Sequence, residues 1–94
     1  HCALVARWGG EEFLLLWTGV DAVGASGHAQ LLREKVQAGA PQVDGMALNV
    51  TASFGIAQWR AGESINALLR RADAALYVAK RAGRNQVRIA AIDL

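Results

Sequence analysis

Apolar and polar positions change rhythm along this chain, and each change predicts an element. Ala3 to Trp8 and Phe13 to Thr18 favour strand, and the GGEE between them has the length and glycine content of a β-hairpin connection. Phe13 to Trp17 is apolar without alternation, the pattern of a strand covered on both faces. Asp21 is placed to cap a helix running to Ala38, with Ala25, Ala29, Leu32 and Val36 as its apolar stripe. Gly24 and Gly27 weaken its first turns. The following GAPQVDG reads as a loop.

In MALNVTASFGIAQ, the residues Leu48, Val50, Ala52, Phe54 and Ile56 alternate with Asn49, Thr51, Ser53 and Gly55. A period of two predicts one strand starting near Met46, with a single apolar face. Ser64 can cap a second helix, in which Ile65, Leu68, Leu69, Ala72, Leu76 and Ala79 recur at three and four residues until Gly83 supplies a stop. Val87 and Ile89 then alternate with Gln86 and Arg88 in a last strand, Asn85 to Ala91. The order β-hairpin, α, β, α, β predicts an α/β (α+β) sandwich with helices on a sheet, without repeats or internal linkers.

Composition narrows the class. At 94 residues, 53% hydrophobic and 19% charged, the chain is one domain at most, with a buried core and no disordered character. Its apolar richness suggests that some surface is covered by a partner. Cys2 is the one cysteine, so neither an internal disulfide nor a structural zinc site is expected. A net charge of +2 is only mildly basic, where nucleic-acid binders usually concentrate far more Lys and Arg on one face, and by itself it decides little. No apolar run approaches the roughly 20 residues that cross a bilayer, and no signal-peptide pattern opens the chain, so a cytoplasmic segment is expected. The start without Met, directly in ALVARW, is the expected appearance of part of a longer polypeptide.

Two motifs carry chemistry. Gly9 and Gly10 permit a tight bend and close backbone approach to a ligand, while Glu11 and Glu12 can ligate a hard divalent cation or accept a proton. A solvated turn whose charges oppose edge pairing is the alternative. In AKRAGRN, Lys80 falls in the last turn of the second helix and Arg84 follows Gly83, so both cations can project from one helix end. Compensation of the helix dipole would also account for Lys80 and Arg81. Carboxylates for Mg²⁺ and cations for phosphates together form a minimal kit for phosphoryl or nucleotidyl transfer, provided the fold unites them.

ARWGGEEF, then NVTASFGIA, then LLRRADAALYVAKRAGRNQV closely resembles, in order and spacing, the C-terminal part of a GGDEF domain, the catalytic domain of diguanylate cyclases. The resemblance covers essentially the whole chain, which is accordingly expected to be a partial GGDEF domain over residues 1–94. It implies a palm-like nucleotide-cyclase fold and a reaction in which two GTP-loaded domains, paired as a homodimer, form cyclic di-GMP and release pyrophosphate. It further implies Glu11 as Mg²⁺ (or Mn²⁺) ligand and acceptor of the hydroxyl proton, with Glu12 supporting the metal. Gly9 and Gly10 would underlie the nucleotide, and Lys80 and Arg84 would hold its terminal phosphates.

Two departures qualify the resemblance. The family's inhibitory RxxD site would place its Asp at Ala3 and its Arg before His1, so feedback through that site is not expected. By the resemblance, the given sequence is expected to begin after the domain's earlier portion, which in the family supplies a central first strand, an Asp ligand and guanine-reading residues. The 94-residue chain alone is therefore expected to make no cyclic di-GMP and, with an open sheet edge, to self-associate or swap elements. A non-catalytic GGDEF module that binds GTP or serves as a dimerisation scaffold is the alternative. An RNA-binding α/β domain fits poorly, because Phe54 falls on the apolar face of its strand. Blander roles are expected for Asp73 as a helix-anchoring acceptor and for Tyr77, Trp8, Trp17 and Trp59 in packing. His1 and His28 have no evident partners nearby in sequence.

Overall fold

The computed structural model of the chain describes residues 3–8, 14–39, 42–47 and 50–91. Its elements are β1 (Ala3–Trp8), β2 (Leu14–Thr18), α1 (Ala22–Ala38), β3 (Gln42–Val43), β4 (Met46–Ala47), β5 (Phe54–Gln58), α2 (Ile65–Arg81) and β6 (Val87–Ile89). The main sheet runs β2-β1-β5-β6. β1 is antiparallel to β2, with Arg7 opposite Leu14, and antiparallel to β5, with Ala6 opposite Ile56. β6 returns parallel to β5 after the α2 crossover, with Phe54 beside Val87. β5 is thus paired on both sides, and β2 and β6 form the edges of the described sheet.

The expected α/β sandwich is present, with helices on both faces. Phe54 and Ile56 point to one side of β5 and pack with Ala22, Ala25 and Ala29 of α1; Leu15, Trp17, Leu32 and Val36 close around them. Ala57 points to the other side and packs with Leu68 and Ala72 of α2. The expectation of one apolar face along this strand is therefore corrected: residues 52–57 are all buried. Gly55 is the reason two helices can share so short a strand. A Cβ there would lie 2.3 Å from both the Ala72 carbonyl oxygen and the Leu76 nitrogen, so α2 rests directly on strand backbone.

The strand is also shorter than the alternation suggests. Met46 and Ala47 pair instead with Val43 and Gln42, through a turn in which Asp44 (φ 53°) and Gly45 (φ 76°) are both left-handed. Positive φ at both central residues is what a type I′ hairpin needs, and Asp-Gly satisfies it at low cost. The segment expected to be a loop thus contains a small hairpin. Met46 and Val50 are exposed, while Leu48 and Asn49 lie outside the described residues.

Both helix caps form as the sequence predicts. The Gly24 N–H donates to Asp21 Oδ1 at 2.8 Å, and the Ala67 N–H donates to Ser64 Oγ at 3.1 Å. On α2 the buried stripe is Leu68, Ala72, Ala75, Leu76 and Ala79; Ile65, expected within it, is exposed in the first turn. Tyr77, expected to pack, is also exposed, with the Arg81 guanidinium 5.7 Å from its ring centroid. Trp17 and Trp59 pack against the two cores, whereas His28 acquires a partner by stacking on Trp17 at 6.3 Å.

Candidate functional site

The C-terminal end of α2 is built to stop the helix and turn the chain sharply. The Ala82 N–H donates to the Val78 carbonyl and the Arg84 N–H reaches back to the Ala79 carbonyl, both at 2.9 Å. The second bond is the long closure of a Schellman ending, and Gly83 at φ 121° supplies the glycine such an ending prefers. The left-handed backbone then continues through Arg84 (φ 61°) and Asn85 (φ 49°). Asparagine tolerates this region; an arginine there costs about 1 to 3 kcal/mol and persists only where its surroundings hold it. The left-handed turn also delays the last strand, which spans Val87–Ile89 instead of the expected Asn85 to Ala91.

The surroundings are specific. Ser53, the buried polar residue of the described core, accepts the Asn85 N–H on Oγ at 2.9 Å. Arg33 of α1 donates from Nη1 to Asn85 Oδ1 at 3.0 Å. The Gln86 side-chain amide donates to the Arg84 carbonyl at 3.1 Å, and the Phe54 N–H donates to the Gln86 carbonyl at 2.9 Å. One short turn is therefore fastened to α2, β5 and α1 together. Ser53 and Arg33 were not singled out from the sequence; the signal was the presence of Ser53 and Asn85 within two of the recognised motifs.

Of the expected site residues, Lys80 and Arg84 are described and sit at the same helix end. Arg84 is exposed on the turn, and Lys80 is half-buried in the last turn of α2. Lys80 lines a cavity of about 210 Å³ with Asp73, Leu76 and Tyr77. Asp73, in the same lining, is exposed. Gly9, Gly10, Glu11 and Glu12 lie outside the described residues. Among the described residues no group of three or more His, Cys, Asp or Glu side chains could hold a metal ion.

A second polar cluster lies at the start of α2. Glu63 receives hydrogen bonds from Arg71 at 2.6 and 2.7 Å and from the Arg60 N–H at 3.2 Å. The Arg71 hydrogen bonds hold its carboxyl at about 2, below an ordinary 4.5, against the raising effect of its own burial; the Arg60 N–H and both guanidinium charges add to the lowering. Beyond Arg71, a cavity of about 400 Å³ between α2 and β6 is lined by Arg60, Arg88, Val78 and Ile89 among others. No helix among the described residues is long and apolar enough to cross a membrane.

The family described as "Diguanylate cyclase, GGDEF domain" matches residues 2–86. Diguanylate cyclase A of Treponema denticola is 39% identical over 83 residues, which cover 87% of this chain and 22% of that protein. Diguanylate cyclase DgcM of Escherichia coli K12 is 42% identical over 84 residues, covering 89% and 20%. This chain thus spans about a fifth of the length of these curated relatives. Among solved structures, the diguanylate cyclase SiaD of Pseudomonas aeruginosa, crystallised with its activator SiaC, aligns with a TM-score of 0.79 at 44% identity, over 89% of this chain and 32% of that one. The coiled coil and GGDEF domain of DgcB from Caulobacter crescentus, in complex with c-di-GMP, gives a TM-score of 0.80 at 22% identity, over 95% and 69%, and supports the fold.

Proposed function

Because this chain belongs to the GGDEF domain family of diguanylate cyclases, we propose that the protein containing it condenses two GTP molecules into cyclic di-GMP. The observation that carries the reading is the intact GGEEF sequence and the AKRAGRN helix end within one family-matched segment, 2–86.

Each role is the one that membership of the family implies. The 3′-hydroxyl oxygen of one GTP attacks the α-phosphorus of a second, held by a paired domain. A phosphorus–oxygen bond forms, the bond to the pyrophosphate oxygen breaks, and Glu11 accepts the hydroxyl proton. The same exchange with roles reversed closes the ring, so a homodimer of GTP-loaded domains is required. Lys80 and Arg84 balance the terminal phosphates and keep the leaving pyrophosphate aligned. Gly9 and Gly10 let the backbone approach the nucleotide.

Glu11 and Glu12 are adjacent hard oxygen donors of the type Mg²⁺ accepts, and they would hold it with the help of substrate phosphates. When bound, the ion supplies positive charge beside the phosphate oxygens. The decisive experiment is an assay of the full-length protein with GTP and Mg²⁺, reading cyclic di-GMP and pyrophosphate, beside the isolated 94-residue chain. Product from the full-length protein alone is expected. GTP binding without turnover would assign the protein to non-catalytic GGDEF modules, and product from the isolated chain would overturn the expectation that it is inactive.

A further inference from the structure

We propose that Ser53, Asn85 and Arg33 form a positioning device that sets the direction of Arg84 before a triphosphate arrives. The inference rests on the reading of Arg84 as a phosphate-gripping residue. It adds three residues, two of them remote in sequence, to the machinery of that grip.

The turn contains three successive left-handed residues, Gly83, Arg84 and Asn85. Gly83 is placed where a helix ending prefers glycine, and Asn85 is a residue type that tolerates the region. Arg84 is neither. Glycine or asparagine would satisfy the backbone more cheaply at position 84, so what the turn gains from Arg84 is the guanidinium itself. On a loose turn, gripping a phosphate would order both the backbone and the side chain of Arg84; on a fixed turn the backbone part of that cost is met during folding.

The fastenings match this purpose. The Arg84 N–H is tied to Ala79 and its carbonyl receives the Gln86 amide, so both backbone groups of this residue are engaged. The next peptide is anchored across 32 residues by Ser53 Oγ, and the Asn85 side chain across 52 residues by Arg33. Ser53 is 3% exposed within a run, residues 52–57, that is buried throughout, and a buried hydroxyl needs a hydrogen-bond partner. The Asn85 N–H is the partner the geometry offers. Through Arg33, α1 contributes to the phosphate corner although none of its residues was expected near it.

The test uses the full-length protein with GTP as probe and compares Arg84→Ala, Ser53→Ala, Asn85→Ala, Asn85→Asp and Arg33→Gln, each checked for folding by thermal melting. Ser53→Ala, Asn85→Ala and Arg33→Gln are expected to raise KM for GTP about threefold to tenfold, the equivalent of one hydrogen bond, with kcat little changed. Asn85→Asp, which keeps the acceptor for Arg33, should recover most of the loss. In an Arg84→Ala background the same substitutions should add nothing.

If Arg84→Ala leaves KM unchanged, the phosphate reading of Arg84 itself fails. If Arg84→Ala weakens binding but the other variants leave KM unchanged, or add an equal loss in its absence, the positioning role is overturned while that reading stands. Should Ser53→Ala not fold, Asn85→Ala and Arg33→Gln, outside the core, decide the question.

Discussion

Arg71 holds Glu63 through two hydrogen bonds, one to each carboxylate oxygen, at 2.6 and 2.7 Å. The same guanidinium donates to the Gln58 carbonyl at the end of β5, and the Glu63 carbonyl accepts the Trp59 indole N–H at 3.0 Å. The pair therefore pins the β5–α2 connection to the body of α2, at the end of the helix opposite Lys80 and Arg84. Bidentate geometry is what distinguishes it from an ordinary surface ion pair.

A pH dependence follows. Glu63 titrates at about 2 in the folded chain and at an ordinary 4.5 when unfolded. Between these values the unfolded state binds the extra proton, so stability rises with pH. The contribution of the pair is complete above pH 4.5 and is lost as pH falls toward 2. Melting temperatures measured across this range should decline more steeply for the native sequence than for Arg71→Met, in which the cause of the lowered value is removed.

Gly55→Ala should be severely destabilising. The added methyl would meet helix backbone at 2.3 Å, and backbone cannot rotate away as a side chain can. Overpacking typically costs about 1 to 3 kcal/mol, and this site lies at or beyond the upper end. Urea unfolding of the variant should show a markedly lower midpoint; an unchanged midpoint would mean that α2 does not rest on β5 as described.

Leu68→Ala and Ile65→Ala separate the buried stripe from the sequence periodicity. Both residues fit the repeat, but Leu68 is 1% exposed and Ile65 is 64% exposed. Truncating Leu68 should cost about 2 to 5 kcal/mol. Truncating Ile65 should cost within about 0.5 kcal/mol. Equal losses in chemical denaturation would contradict the orientation of the first turn of α2.

In the full-length protein, Glu11→Gln is expected to abolish cyclic di-GMP formation, because the variant cannot accept the hydroxyl proton. Lys80→Ala and Arg84→Ala are expected mainly to raise KM for GTP. Steady-state kinetics with purified variants distinguish the two classes, and full turnover by the Glu11 variant would remove it from the reaction.

Elements with a local cause were legible in the sequence. Asp21 and Ser64 marked helix starts because a side-chain oxygen next to an orphan N–H is a local interaction. Gly83 marked a helix stop for the same kind of reason. The second hairpin was legible too, in Asp44-Gly45, but loop composition masked it.

What the sequence by itself determined was the order of the elements other than the β3–β4 hairpin, the caps and the two chemical motifs, since each depends on residues within one helical turn or one strand. The tertiary structure decided which residues are buried and what holds the cationic turn. Alternation distinguishes the two faces of β5 but cannot reveal that both are covered, because covering depends on α1 and α2 arriving from either side of Phe54 and Gly55. Likewise, Ser53 and Arg33 reach Asn85 across 32 and 52 residues, and no spacing rule links positions that only folding brings within 3.0 Å.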